Sequence, residues 1–259
     1  VFLECSMPRF VGASQQPAPY SPTYDPSPSY SAPTAAIAPP TSNSKRTPRR
    51  RFVAALPHHL QNNPPLDAAI GALPANYSFE LRKTLWRIEQ LKATTVALQF
   101  PEGLLVFATT IADILESFGG VDTLIMGDVT YGACCVDDLS AAAVGCELLV
   151  HYGHSCLVPV DTMACNVLYV FVEISIDVKH AADSLQLALP AETRLAMCAA
   201  IQFAGALHPS RAVLEAHLAH VQLPQCKPLS AGETLGCTAP VIEGADAVVY
   251  VADGRFHPE

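Results

Sequence analysis

Two strand-like apolar runs enclose a short helical pattern in the stretch Thr123–Leu157, and no other stretch constrains the fold as strongly. The runs are Thr123–Met126 and Leu148–Tyr152, and the helical pattern covers Val136–Val144. A strand, a helix and a second strand in this order are typical of a crossover unit with parallel strands. We therefore expect the chain to be built on parallel sheets.

Polar loops that contain glycine follow both runs. Gly127–Cys135 comes after the first run, and Gly153–Cys156 comes after the second. The carboxyl ends of parallel strands meet at one edge of a sheet, and open α/β sheets bind their ligands there. Soft or borderline metals prefer thiolate and imidazole ligands. The two loops bring four such side chains to this edge: Cys134, Cys135, His154 and Cys156.

The same alternation of strands and helices runs along most of the chain. The remaining predicted strands are Thr94–Phe100, Val167–Glu173, Thr193–Ala200, Val221–Leu223 and Ala247–Ala252. The remaining predicted helices are Ala68–Leu73 capped by Asp67, Phe79–Lys92 capped by Ser78, Leu104–Phe118, Ala181–Leu189, and Phe203–Ala219 with a break or kink at Pro209. The predicted fold class is α/β, with two similar domains at 67–165 and 166–259, each with a parallel sheet flanked by helices.

The first 66 residues differ from the rest in composition. They hold 13 of the 22 prolines and carry a basic run, Lys45–Arg51. Such a segment buries too little apolar surface to offset its ordering entropy, which predicts a disordered tail over 1–66. The basic run fits either a solvated charge run or a nuclear-import or docking signal.

The body after residue 66 is acidic, with a formal net charge of −13. An acidic body argues against direct binding of nucleic acid, which depends on neutralising phosphates, and it suits a basic protein partner. The sequence has neither a secretory signal nor an apolar run of roughly 18 residues that would span a membrane. We therefore expect a cytoplasmic protein whose nine cysteines are buried fillers or metal ligands rather than disulfides.

The spacing of the cysteines leaves several functions open. Zinc ligands usually come as Cys-x₂₋₄-Cys pairs, and the sequence has no such pair. A metal held by one loop thiol from each half of the chain fits the repeated architecture. Cys156 and His154 could alternatively act as the nucleophile and base of a thiol hydrolase.

Long motifs around these residues resemble a known family, the diphthamide biosynthesis protein 1 family, which supplies subunit 1 of 2-(3-amino-3-carboxypropyl)histidine synthase. The main matches are Gly127–Asp138 (GDVTYGACCVDD), which favours subunit 1 over subunit 2, and Val150–Leu157 (VHYGHSCL). The resemblance covers about 67–259, and the further matches are Gln99–Leu105, Pro224–Leu229, Leu235–Thr238 and Ala252–His257.

The resemblance implies three similar α/β domains around a 4Fe–4S cluster, with one cysteine from each domain. Carried over by motif, the first two ligands are Cys134 and Cys237, and the third belongs to a C-terminal domain that we expect to be missing here. The implied reaction transfers the 3-amino-3-carboxypropyl group of S-adenosylmethionine to a histidine of translation elongation factor 2. The implied partners are the paralogous subunit 2, in a heterodimer, and a small iron protein that donates electrons.

Four polar side chains near the predicted sheet edge are candidates for lining the cofactor cavity: Gln99, Glu102, Asp128 and His154. No catalytic residue is assigned. An inactive partner-binding fragment of the family and the thiol hydrolase are the alternatives to the transferase.

Overall fold

Helices and strands alternate through most of the chain. The computed structural model describes residues 2–6, 56–128, 130, 132, 134–235 and 238–252. The helices are α1 (His58–Gln61), α2 (Pro64–Ile70), α3 (Leu81–Leu91), α4 (Ala108–Gly119), α5 (Asp138–Ala143), α6 (Val178–Ala188) and α7 (Ala204–Leu214). The strands are β1 (Phe2–Ser6), β2 (Tyr77–Ser78), β3 (Thr95–Gln99), β4 (Asp122–Ile125), β5 (Leu148–Tyr152), β6 (Asn166–Val170), β7 (Glu173–Ile174), β8 (Arg194–Ala199), β9 (His220–Gln222) and β10 (Ala247–Ala252).

A four-stranded parallel sheet in the order β4-β3-β5-β6 forms the centre of the first lobe, residues 56–170. On one face, Val96 and Leu98 pack with the apolar sides of α3 and α4. On the other face, Ala97 and Leu149 pack with Ala141 of the shorter α5. Burial on both faces explains why β3 and β5 are apolar runs without alternation, as expected for parallel strands.

A second four-stranded sheet, in the order β1-β10-β8-β9, forms the second lobe, residues 173–252 together with β1. β10, β8 and β9 are parallel, whereas β1 pairs with β10 in the antiparallel direction. Leu195, Met197 and Val249 of this sheet pack with Leu185 of α6 and Leu207 of α7. The α/β class and the sheets flanked by helices are therefore confirmed.

Strand Asn166–Val170 pairs with β5 along its whole length, so it is the fourth strand of the first sheet. The sequence pattern predicts this strand as part of the second half, at 166–259, because strand order within a sheet depends on long-range pairing that a local pattern does not contain. The first sheet thus extends past residue 165, although the division into domains itself stays a prediction.

A short antiparallel ribbon joins the two lobes. Tyr77 of β2 pairs with Ile174 of β7, and Ser78 pairs with Glu173. The predicted cap at Ser78 is therefore wrong, because this residue belongs to the ribbon and α3 begins three residues later at Leu81.

Two other local expectations also differ from the structure. Asn63 caps α2, since its side-chain oxygen accepts a hydrogen bond from the amide of Leu66 at 3.1 Å, and Asp67 lies inside that helix. Pro209 lies inside α7 and does not end it. No helix in the described part of the chain is long and apolar enough to cross a membrane.

The predicted disordered tail is wrong at both of its ends. Phe2–Ser6 forms the edge strand β1, and helix α1 already begins at His58. The rest of the predicted tail, 7–55, lies outside the described residues, and so does the basic run Lys45–Arg51.

Candidate functional site

The cysteine loop follows β4 and is fastened to the end of β3 by backbone hydrogen bonds. The amide of Met126 donates to the carbonyl of Leu98 at 2.9 Å, and the amide of Thr130 donates to the carbonyl of Phe100 at 3.1 Å. Further along, Cys134 and Cys135 are both exposed, with their sulfur atoms 4.0 Å apart. The loop therefore presents two thiols to solvent beyond the carboxyl end of the first sheet.

The histidine loop follows β5 and turns sharply at Gly153. This residue has a φ of +81°, and a Cβ there would lie 2.9 Å from Cγ of Pro101. Its amide donates to the carbonyl of Val170 at 2.8 Å, which ties the loop to the neighbouring strand β6. Only glycine adopts this φ and fits beside Pro101 without strain. The turn places His154 at the same edge as the cysteine loop.

Gln99, His151 and His154 form a line of hydrogen bonds that reaches the cysteine loop. Gln99 and His151 are partners in the register of β3 and β5, and their Oε1 and Nδ1 atoms are 2.8 Å apart. His151 Nε2 lies 3.2 Å from His154 Nδ1. Gln99 Nε2 donates to the carbonyl of Cys135 at 2.8 Å, and Gln99 Oε1 accepts from the amide of Asp137 at 3.4 Å.

Burial keeps His151 and the neighbouring Tyr169 uncharged. His151 is fully buried, and desolvation, helped by the nearby His154, lowers the pKa of His151 to about 3. The ring of Tyr169 on β6 lies edge-on to His151, with ring centroids 5.4 Å apart, and burial raises the pKa of Tyr169 to about 12. Both side chains are therefore neutral at physiological pH, and they act as hydrogen-bonding groups rather than as charges.

The second lobe holds the histidine loop from the other side. The hydroxyl of Ser155 donates to Oε1 of Glu233, and Glu233 Oε2 accepts from the amide of Ser230 at 3.0 Å. The side-chain amide of Gln202 donates to the carbonyl of Gly153 at 2.6 Å. Ser155 and Glu233 are only 4% and 2% exposed, so this contact is shielded from water.

The predicted cavity residues divide into two pairs. Gln99 and His154 are brought together through His151, as described above. Glu102 and Asp128 also follow strand ends, but they are exposed, and neither side chain forms a hydrogen bond or ion pair with another described residue. Whether any of the four lines a cofactor cavity stays a prediction.

The predicted metal ligands stay predictions as well. Cys134 is exposed at the sheet edge, whereas Cys237 lies outside the described residues. Within the described part of the chain, no three His, Cys, Asp or Glu side chains are grouped closely enough to hold a metal ion. The hydrolase alternative gains no support, because no hydrogen bond joins His154 to Cys156 among the described residues.

Sequence patterns do not single out two polar residues of this region, His151 and Glu233. His151 lies inside an apolar run and resembles a core residue, yet a histidine one position before the end of a parallel strand was a usable signal. Glu233 lies in a loop without periodicity, and only the packing of the two lobes brings it to Ser155.

Comparison with known proteins relates this chain to one family. The family model described as "Putative diphthamide synthesis protein" matches residues 100–259. A protein of Nematostella vectensis named 2-(3-amino-3-carboxypropyl)histidine synthase subunit 1 is 62% identical over 73% of this chain and 40% of its own length. Proteins of the same name from Bos taurus and Schizosaccharomyces pombe are 55% and 50% identical over 83% and 85% of this chain.

The chain spans about half the length of the curated relatives it matches. Among solved structures, the fold is similar to that of Dph2 from Pyrococcus horikoshii, with a TM-score of 0.61 and 24% sequence identity. That match covers 70% of this chain and 54% of the other. A second structure of the same protein, described with a 4Fe-4S cluster, matches with a TM-score of 0.59.

Proposed function

Because the chain belongs to the family of diphthamide synthesis proteins, we propose that it acts as subunit 1 of a 2-(3-amino-3-carboxypropyl)histidine synthase. The proposed reaction transfers the 3-amino-3-carboxypropyl group from S-adenosylmethionine to a histidine of translation elongation factor 2, as the first step of diphthamide formation. The observation that carries this proposal is the 50–62% identity to relatives with that name, over 73–85% of this chain.

We propose that Cys134 and Cys237 each provide one thiolate to a 4Fe–4S cluster, with a third thiolate from outside this sequence. Iron–sulfur clusters are held by cysteine thiolates, and Cys134 has the right chemistry because it is an exposed thiol at the carboxyl edge of a parallel sheet. When bound, the cluster would supply the electron that breaks the bond between sulfur and the methionine Cγ of S-adenosylmethionine. The Pyrococcus horikoshii structure described with a 4Fe-4S cluster supports this choice of cofactor.

The remaining residues of the edge would bind and orient the co-substrate. The carboxylates of Glu102 and Asp128 are exposed, so they are available to attract the ammonium group of S-adenosylmethionine. Gln99 holds the backbone after Cys134, and His154 offers an imidazole next to the same loop. Fixed positions for the thiol and the co-substrate would favour the cleavage of one particular bond to sulfur.

The proposed partners follow from the same reaction. The name "subunit 1" of the relatives supports a heterodimer with the paralogous subunit 2, and the reaction needs a small iron protein or an equivalent electron donor. The net charge of −13 after residue 66 favours a basic surface on the partner or the protein substrate. Translation elongation factor 2 works in the cytoplasm, so we place this protein there as well.

Anaerobic reconstitution with iron and sulfide tests the proposal. The natural full-length protein should gain a brown colour, bound iron and bound sulfide, and with subunit 2 and dithionite it should label elongation factor 2 from carboxyl-labelled S-adenosylmethionine. Cys134→Ser should abolish both the cluster and the labelling. Cys135→Ser is the matched control, because it removes a thiol that is also exposed from the next position, and it should keep both the cluster and the labelling.

Two results would contradict the proposal. Full cluster content in Cys134→Ser would show that this thiol is not a ligand. Wild-type protein that holds a cluster but transfers no label to elongation factor 2 would remove the proposed activity.

A further inference from the structure

The hydrogen bonds among Gln99, His151 and His154 determine the position of each proton in the line. The carbonyl of Cys135 can only accept, so the amide nitrogen of Gln99 faces it, and Gln99 Oε1 must face His151. An amide oxygen also only accepts, and therefore the proton of His151 is on Nδ1. Since the buried ring is neutral, its Nε2 is bare and accepts the Nδ1 proton of His154.

We propose that Gln99 and His151 are positioning residues, which hold the backbone next to Cys134 and fix His154 in the Nδ1–H tautomer. Through its amide, Gln99 fastens both the carbonyl of Cys135 and the amide of Asp137 to the end of β3. Through His151, the same amide determines which nitrogen of His154 carries the proton, although Gln99 itself does not contact His154. The role of the backbone contact rests on the proposed function, because it matters for catalysis only if Cys134 holds the cluster.

Packing alone does not account for these residues. Gln99 is 2% exposed and His151 is 0% exposed, and they continue the sheet face on which Ala97 and Leu149 are apolar. A buried amide or imidazole is destabilising unless it is hydrogen-bonded, and apolar side chains would fill the same volume without that requirement. Here the polar atoms of both side chains are used in one connected line.

The tautomers can be measured directly in the wild-type protein. Nitrogen-15 NMR of histidine-labelled full-length protein near pH 7.5, without iron, distinguishes the protonated from the bare ring nitrogen. We expect Nδ1–H for both His151 and His154, whereas neutral imidazole in water favours Nε2–H. Nε2–H on either ring would overturn the proposal, and this measurement needs no variant that must fold.

Gln99→Met tests whether the line acts as a unit, and Gln202→Met is its matched control. Both substitutions replace a glutamine that donates to a backbone carbonyl, but Gln202 donates to Gly153 in the other loop. In Gln99→Met, we expect His154 to gain the Nε2–H form. We also expect the amide of Asp137 to exchange about fivefold faster, since its hydrogen bond to Gln99 Oε1 is lost. In Gln202→Met, both should stay as in the wild type.

The outcomes separate this proposal from the proposed function. In reconstituted protein, Gln99→Met should lose its cluster to a chelator several-fold faster than Gln202→Met. If the wild type builds no cluster but the tautomers are as expected, the proposed function fails and the line of hydrogen bonds stands. If the cluster is equally stable in both variants, or if His154 keeps its tautomer in Gln99→Met, the positioning role is refuted.

Discussion

The hydrogen bond between Ser155 and Glu233 joins the two lobes, and its contribution to stability can be measured by removing the Ser155 hydroxyl. Ser155→Ala removes one hydroxyl oxygen, which creates almost no cavity, and leaves Glu233 with the Ser230 amide as its donor. Both side chains are shielded from water, at 4% and 2% exposure, so water cannot replace the lost donor. Removing the donor of a buried acceptor costs about 1–3 kcal/mol, and we expect the free energy of unfolding to fall by about 2 kcal/mol.

Urea denaturation followed by circular dichroism measures this loss. The slope with urea should stay unchanged while the midpoint falls, because the substitution alters one contact and not the surface exposed on unfolding. Ser184→Ala is the matched control, since the Ser184 hydroxyl donates to the carbonyl of His180 in an exposed hydrogen bond on α6. That variant should lie within about 0.5 kcal/mol of the wild type.

A double-mutant cycle then assigns the loss to the pair. In Glu233→Gln the side chain can no longer accept from both Ser155 and Ser230, so the single variant should also be destabilised. The two substitutions should be non-additive by about 1 kcal/mol or more, as is usual for residues in one hydrogen-bonded network. Ser155→Ala within 0.5 kcal/mol of the wild type, or additive substitutions, would refute the reasoning.

Two further predictions concern the same edge of the first sheet. Burial lowers the pKa of His151 to about 3, so between about pH 6.5 and pH 3 the unfolded chain binds more protons and the folded protein loses stability as the pH falls. The difference in the free energy of unfolding between wild type and His151→Gln, measured by urea denaturation, should therefore shrink by up to about 1.4 kcal/mol for each unit that the pH falls in that window. A difference that does not depend on pH would contradict the buried neutral ring. Gly153→Ala should lower the free energy of unfolding by about 1–3 kcal/mol, because it combines a φ of +81° with a Cβ 2.9 Å from Pro101. Gly103→Ala, where a Cβ meets nothing within 4 Å, should lie within about 0.5 kcal/mol of the wild type. Equal losses in the two variants would contradict this account.

The elements of the first sheet were predictable because a strand that is buried on both faces is an unbroken apolar run in the sequence. Thr94–Phe100 and Leu148–Tyr152 are apolar without alternation, and the structure has strands at Thr95–Gln99 and Leu148–Tyr152. The polar loops after β4 and β5 follow from the same argument, so the positions of Cys134 and His154 beyond strand ends were predictable too.

Long-range pairing was not predictable in the same way. Ser78 has the chemistry of a helix cap, but pairing with Glu173 draws it into the ribbon. The sequence marks Gln99 only by its place at a strand end, and its partners Cys135 and His151 come from two other parts of the chain. Local sequence patterns do not specify such partners, because the contacts form only when three separate segments are packed together.

The ribbon between β2 and β7 has a consequence for synthesis on the ribosome. Tyr77 and Ile174 are separated by about a hundred positions, and all four strands of the first sheet are translated between them. The segment that leaves the ribosome first must therefore wait, unpaired, until its partner emerges, and pairing it closes a long loop late. A nascent chain arrested where residues up to Val172 have left the exit tunnel but Glu173 has not should already protect the first sheet from proteases, while Tyr77–Ser78 is still open to them.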